Sequence, residues 1–94
     1  MNTILVGIGG YGATYGEMLL NNAVPDLNLV AVVDPYAKQS SLYNRFKDII
    51  PIYGRLEEFF AAGQTAELTI ISTPIHLHYE QSVAALAGGS HVLC

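Results

Sequence analysis

Ninety-four residues suffice for one small domain, which buries roughly 60–70% of the surface that its unfolded chain exposes. Apolar residues make up 51% and charged residues 13%, a balance that excludes disorder and points to elements covered on two sides. With eight acids against four bases, the net charge of −4 makes nucleic acid and anionic membrane surfaces unexpected partners.

The chain has a single cysteine, Cys94, no basic N-terminal region and no run approaching the ~18 apolar residues of a membrane span. A cytoplasmic setting is therefore expected. Thr3–Val6 predicts a first strand, and Ala13–Asn22 a helix with Tyr15, Met18, Leu19 and Leu20 as its apolar stripe. Asn21 and Asn22 help end that helix, and Pro25-Asp26 mark a turn. Leu29–Val33 is a continuous apolar run, as in a strand covered on both faces.

Gln39–Ile49 predicts a second helix with Leu42, Phe46 and Ile49 inward, stopped by Pro51. Ile52-Tyr53 is a short third strand near a sheet edge. Leu56–Ala62 is a short helix closed by Gly63. Leu68–Ser72 is a fourth strand, and Leu77–Ala87 a last helix with Val83, Leu86 and Ala87 inward, closed by Gly88-Gly89. His91–Cys94 begins a fifth strand. Strict alternation predicts an α/β fold: a doubly wound parallel sheet, Rossmann-like, of strand order 3-2-1-4-5 with helices on both faces. The chain reads as one unit, 1–94.

Gly7, Gly9 and Gly12 spell G-x-G-x-x-G between the first strand and the first helix. Gly7 permits the tight turn, Gly9 leaves room for a pyrophosphate against bare backbone, and Gly12 brings the helix close to the sheet. Gly10 and Tyr11 complete the loop and border the same diphosphate position. Unpaired amides in the helix's first turn favour an anion. The pattern gains weight from Asp34, which closes Val30-Ala-Val-Val33 at the expected spacing of about 20 residues. Its carboxylate can accept from ribose hydroxyls and repel a 2′-phosphate, which favours NAD, while Lys38 keeps NADP open. The plain alternative is that Asp34-Pro35 is only a turn pair.

A P-loop is excluded because Ala13-Thr14, not Lys-Ser/Thr, follows Gly12. An S-adenosylmethionine-binding methyltransferase-like domain shares the strand–glycine–helix layout. Its loop usually follows an acid, where this chain has Val6. That alternative stays open.

Ser72-Thr-Pro-Ile-His-Leu-His-Tyr-Glu80 and Ala84-Ala-Leu-Ala-Gly-Gly-Ser-His-Val-Leu-Cys94, together with the glycine loop and Val32-Val-Asp34, resemble the Gfo/Idh/MocA family of oxidoreductases. The resemblance covers essentially the whole chain. It implies the N-terminal NAD(P)-binding domain of an enzyme that acts by hydride transfer on sugars, inositols or related polyols. It matches Asp34 to the ribose-binding acid, and Ser72, Thr73 and Pro74 to the loop along the nicotinamide half of the cofactor. His78 matches the family histidine that follows. Ile75 departs from the asparagine that many members carry there. The family's Glu-Lys-Pro signature would follow directly after Cys94. The catalytic lysine and the C-terminal substrate domain are thus expected outside these residues, and the 94 residues alone are expected to bind cofactor without catalysis.

Other features take bland explanations. His76, His78 and His91 lack a carboxylate or cysteine to complete a metal set. Glu57-Glu58 read as dipole partners in a first helical turn. Tyr36 is placed to pack against adenine, and the plain alternative for Tyr11 and Tyr36 alike is that they cover core. A fifth strand at a sheet edge predicts self-association into a homo-oligomer, and a non-catalytic interaction module is the second functional reading.

Overall fold

The computed structural model describes residues 1–94, apart from the side chain of Tyr11. Five parallel strands form one sheet of order β3-β2-β1-β4-β5. These are β1 (Asn2–Val6), β2 (Asn28–Val33), β3 (Ile52–Tyr53), β4 (Leu68–Ile71) and β5 (His91–Leu93). The helices between them are α1 (Tyr11–Leu20), α2 (Tyr43–Phe46), α3 (Leu56–Ala61) and α4 (His78–Ala87). The topology is the one predicted, with helices on both faces. Among the described residues, no helix is long and apolar enough to cross a membrane.

Period-two alternation in β1 divides the core. Leu5 joins Leu19 of α1 and Leu42 and Phe46 of α2 on one side of the sheet. Ile4 and Val6 join Leu56 and Phe59 of α3 and Ala85 of α4 on the other. β2 supplies Val32 to the first layer and Ala31 and Val33 to the second, as its continuous apolar run implies.

Two expected helical faces are corrected. In α1 the buried residues are Gly12, Gly16 and Leu19, while Tyr15 and Met18 face solvent. At Gly12 the helix lies so near the loop after β1, and at Gly16 so near Leu42 and, in α2, Phe46, that only bare backbone fits at those two positions. In α4, Ala84 and Ala85 pack inward, while Val83 and Leu86 are 50% and 61% exposed. The reason is Phe60, whose ring comes within 2.4 Å of where a Cβ on Gly88 would stand, so α4 turns its small residues toward α3.

The helix expected over 39–49 is broken. A 3-10 turn at Ala37–Gln39 is followed by extended Ser40 (ψ 143), and the α-helix is confined to α2. The Ser40 hydroxyl accepts from the Leu42 amide at 3.1 Å, a local bond that competes with helical pairing. Ile49 consequently faces solvent, and Ile50 packs against the core instead.

Gly88→Ala is expected to lower stability by about 1–3 kcal/mol through overpacking against Phe60. A urea denaturation midpoint measures this, and Phe60→Leu in the same chain should recover part of the loss.

Candidate functional site

At the C-terminal ends of β1 and β4, the chain leaves for opposite faces of the sheet. Such a divergence opens a crevice where doubly wound folds take ligands. Here it is a cleft of about 1010 Å³. Gly7, Gly9 and Gly10 line it between Asp34 and Tyr36 on one side and Ser72, Thr73 and Pro74 on the other.

Gly7 turns with φ +91, a conformation that side chains rarely adopt. A Cβ there would also meet Thr73 Cγ2 at 3.0 Å. A Cβ on Gly12 would stand 2.1 Å from the Gly7 carbonyl oxygen, so this glycine is what lets α1 begin directly against the loop. Gly9 differs from both. A Cβ there would find no protein atom within 4 Å, and the residue lines the cleft. Among the described residues, the amides of Gly9 and Gly10 donate to no protein acceptor. This is a cradle of bare backbone at the start of a ten-residue helix, whose dipole adds to its attraction for an anion.

Asp34 is turned toward the loop. Its Oδ2 accepts from the Ile8 amide at 3.0 Å, and its Oδ1 accepts from the Tyr36 amide at 2.8 Å. The second bond is the turn that Asp-Pro sequences form, and the first reaches the glycine loop. The turn and the approach to the glycine loop thus occur together in one side chain. Tyr36 is exposed at 68% and lines the cleft beside Asp34. Lys38 lines an adjoining hollow of about 450 Å³ that also includes Asp34.

The opposite wall is tied to β1. The Ser72 amide donates to Val6 O at 2.9 Å, and its hydroxyl donates to Val6 O and Gly7 O at 3.0 and 2.9 Å. His78 begins α4 and does not line the cleft. It holds the wall from behind, its Nε2–H donating to the Thr73 carbonyl at 2.7 Å. That carbonyl can only accept, so Nε2 carries the proton. The Thr73 hydroxyl bonds the side-chain oxygen of Gln81. The side chain of Tyr11 lies outside the described residues.

Sequence reasoning missed Ser40, Gln39, Arg55 and Gln81, all of which line the cleft. Only Ser40 carries a local signal, since serine after a short turn commonly bonds nearby backbone. Glu57 and Glu58 fall in the first turn of α3 as expected, with Glu57 paired to Arg55 at 3.2 Å.

The donor set fits a dinucleotide. Unpaired amides suit a diphosphate, and a carboxylate with lone pairs remaining suits ribose hydroxyls. The cleft between them is as large as dinucleotide-sized ligands need.

Residues 1–94 match the profile of the family described as "Oxidoreductase family, NAD-binding Rossmann fold", GFO_IDH_MocA. A curated relative, scyllo-inositol 2-dehydrogenase (NADP(+)) IolW of Bacillus subtilis, is 31% identical over 99% of this chain. The chain spans about 25% of that relative's length. An NAD-binding protein from Listeria innocua superposes with a TM-score of 0.77 at 27% identity, over 99% of this chain and 26% of its own. The scyllo-inositol dehydrogenase of Lactobacillus casei, solved with NAD(H) and scyllo-inositol, has a TM-score of 0.82 at 16% identity. It covers 98% of this chain and 26% of its own, and it bears on the fold alone.

Gly12→Ala should cost about 2–4 kcal/mol because backbone must move, whereas Gly9→Ala should stay within about 0.5 kcal/mol of wild type. Thermal or urea unfolding of the two variants checks the contrast.

Proposed function

This chain belongs to the Gfo/Idh/MocA oxidoreductase family, and from that membership we propose that its 94 residues hold NAD(H) for hydride transfer to or from a sugar, inositol or related polyol. The observation that carries the reading is the pairing of unbonded Gly9 and Gly10 amides with an Asp34 carboxylate turned toward the same loop. The name of the curated relative, an inositol dehydrogenase, supports the substrate class. Nothing comparable favours the methyltransferase-like or the purely structural reading.

The cofactor supplies the hydride acceptor or donor, and these residues bind and orient it. Gly9 and Gly10 would donate to the diphosphate. Asp34 would accept from the adenosine ribose with the lone pairs that Ile8 and Tyr36 leave over. Tyr36 would cover the adenine. Ser72, Thr73 and Pro74 would wall the nicotinamide half, with His78 and Gln81 holding that wall in place. Gly7 and Gly12 shape the loop, since a Cβ on either would collide with neighbouring protein atoms. The proposal gives none of these residues an acid–base role.

Asp34 sets the preference between dinucleotides. A 2′-phosphate there would face a carboxylate at close range, so NADH should bind more tightly than NADPH. The NADP(+) of the curated relative marks this as the property to measure first. We place the protein in the cytoplasm, in keeping with its single cysteine. We also expect self-association, because Tyr79, Val83 and Leu86 of α4 and Leu93 of the edge strand β5 leave a largely apolar surface exposed. Sedimentation velocity should show a mass that rises with concentration.

Titration with NADH, followed by its own fluorescence and by calorimetry, should give saturable binding. Gly9→Val should abolish it while the unfolding midpoint stays close to wild type. Asp34→Ala should weaken NADH about 10-fold or more and shrink the gap to NADPH, as expected when hydrogen bonds to a charged group are lost. Absence of any signal at millimolar NADH would falsify the proposal.

A further inference from the structure

The two peptide planes that flank Ile8 are pinned by three side chains from three separate segments. In the Gly7–Ile8 plane, the carbonyl accepts from the Ser72 hydroxyl at 2.9 Å and the amide donates to Asp34 at 3.0 Å. In the Ile8–Gly9 plane, the carbonyl accepts from the Ser40 hydroxyl at 2.7 Å. The remaining polar group of that plane is the Gly9 amide, which among the described residues has no protein acceptor.

A trans peptide holds its carbonyl and its N–H coplanar and pointing in opposite directions, and the described chain has no cis peptide bond. Fixing the Ile8 carbonyl therefore fixes the direction of the Gly9 N–H. Glycine on one side would otherwise let this plane swing, because Gly9 has no side chain to resist rotation. Ile8 itself is fully buried and anchors the plane on the other side. Ser40 is in turn oriented by accepting from the Leu42 amide at 3.1 Å. Donation to a peptide carbonyl also polarises the peptide and strengthens its N–H as a donor.

We propose that Ser40 is a positioning residue that aims the Gly9 amide into the diphosphate site before cofactor arrives. The inference rests on the dinucleotide reading above. Ser40 acts through the Ile8 carbonyl, and its effect belongs to the diphosphate and not to the adenosine. It also explains why α2 is short: a serine held extended for this bond cannot continue a helix from the 3-10 turn before it.

The test compares three ligands on Ser40→Ala, Ser40→Thr and wild type. In Ser40→Ala, affinity for NADH and for ADP-ribose should fall roughly 3- to 10-fold, the range for one lost neutral hydrogen bond, while adenosine binds within about 2-fold of wild type. Ser40→Thr keeps the hydroxyl and should restore most of the loss. The backbone carbonyl carbon of Ile8 should shift in the NMR spectrum of Ser40→Ala and return in Ser40→Thr. If Ser40→Ala does not fold, Ser40→Cys, which is close in size and a weaker donor, should show the same ligand pattern. Unchanged NADH affinity in the alanine variant overturns the proposal, and so does an equal loss for adenosine and NADH. An unmoved Ile8 carbonyl overturns it too, even where wild type fails to bind NADH and the dinucleotide reading has failed separately.

Discussion

The 3.0 Å hydrogen bond from the Ile8 amide to Asp34 joins the loop after β1 to the end of β2, and the form of the cleft depends on it. It requires β1 and β2 to be neighbours in the sheet, in a register that pairs Val6 with Val33. It also requires Asp34 to be bent back by its own turn, through Oδ1 and the Tyr36 amide. One carboxylate therefore does three things at once. It closes the turn, restrains the glycine loop and presents negative charge at one end of the crevice. About four lone-pair sites serve a carboxylate, so two backbone bonds leave it able to accept more.

The same economy governs the other wall. Ser72 reaches two consecutive carbonyls of the β1 exit, and His78 holds the carbonyl of Thr73, so the loop after β4 is fastened at both ends. Close approach makes this possible. Gly12 lets α1 start against Gly7, while Gly88 and Ala85 let α4 settle onto α3 and the sheet. In a chain of this size the apolar core is thin, and contacts made at backbone distance help hold five strands in one layer.

Much of this was legible beforehand, for definable reasons. Runs such as Val30-Ala-Val-Val33 are long enough to show a strand buried on both faces, and they alternate with helical stretches that fix the topology. The glycine loop and Asp34 were legible because their chemistry needs particular residue types at a particular spacing. Helical faces were not. Hydrophobic periodicity assigns the largest apolar residues to the core, whereas α1 and α4 turn glycine and alanine inward because neighbouring helices and strands come so close. Tyr15, Met18, Val83 and Leu86 were misassigned for this one reason. Ser40 escaped notice because its partner, Ile8, lies far away in sequence, and nothing local encodes that bond.

A division of labour follows from which atoms line each part of the cleft. At the glycine loop the cleft presents backbone amides, whose chemistry is the same whatever side chain a neighbour carries. A diphosphate held there, as proposed, would be indifferent to substitutions that leave the backbone path unchanged. The end of the cleft beside β2 presents side chains: Asp34, Tyr36, Gln39 and, in the adjoining hollow, Lys38. In the proposed binding mode, discrimination between dinucleotides that differ by a 2′-phosphate would reside at that end. Asp34 cannot be exchanged there without consequence, because its carboxylate also restrains Ile8. A chain that changed this residue to admit a 2′-phosphate would have to rebuild the restraint on the diphosphate loop as well. Selectivity and loop geometry would thus be coupled through a single side chain.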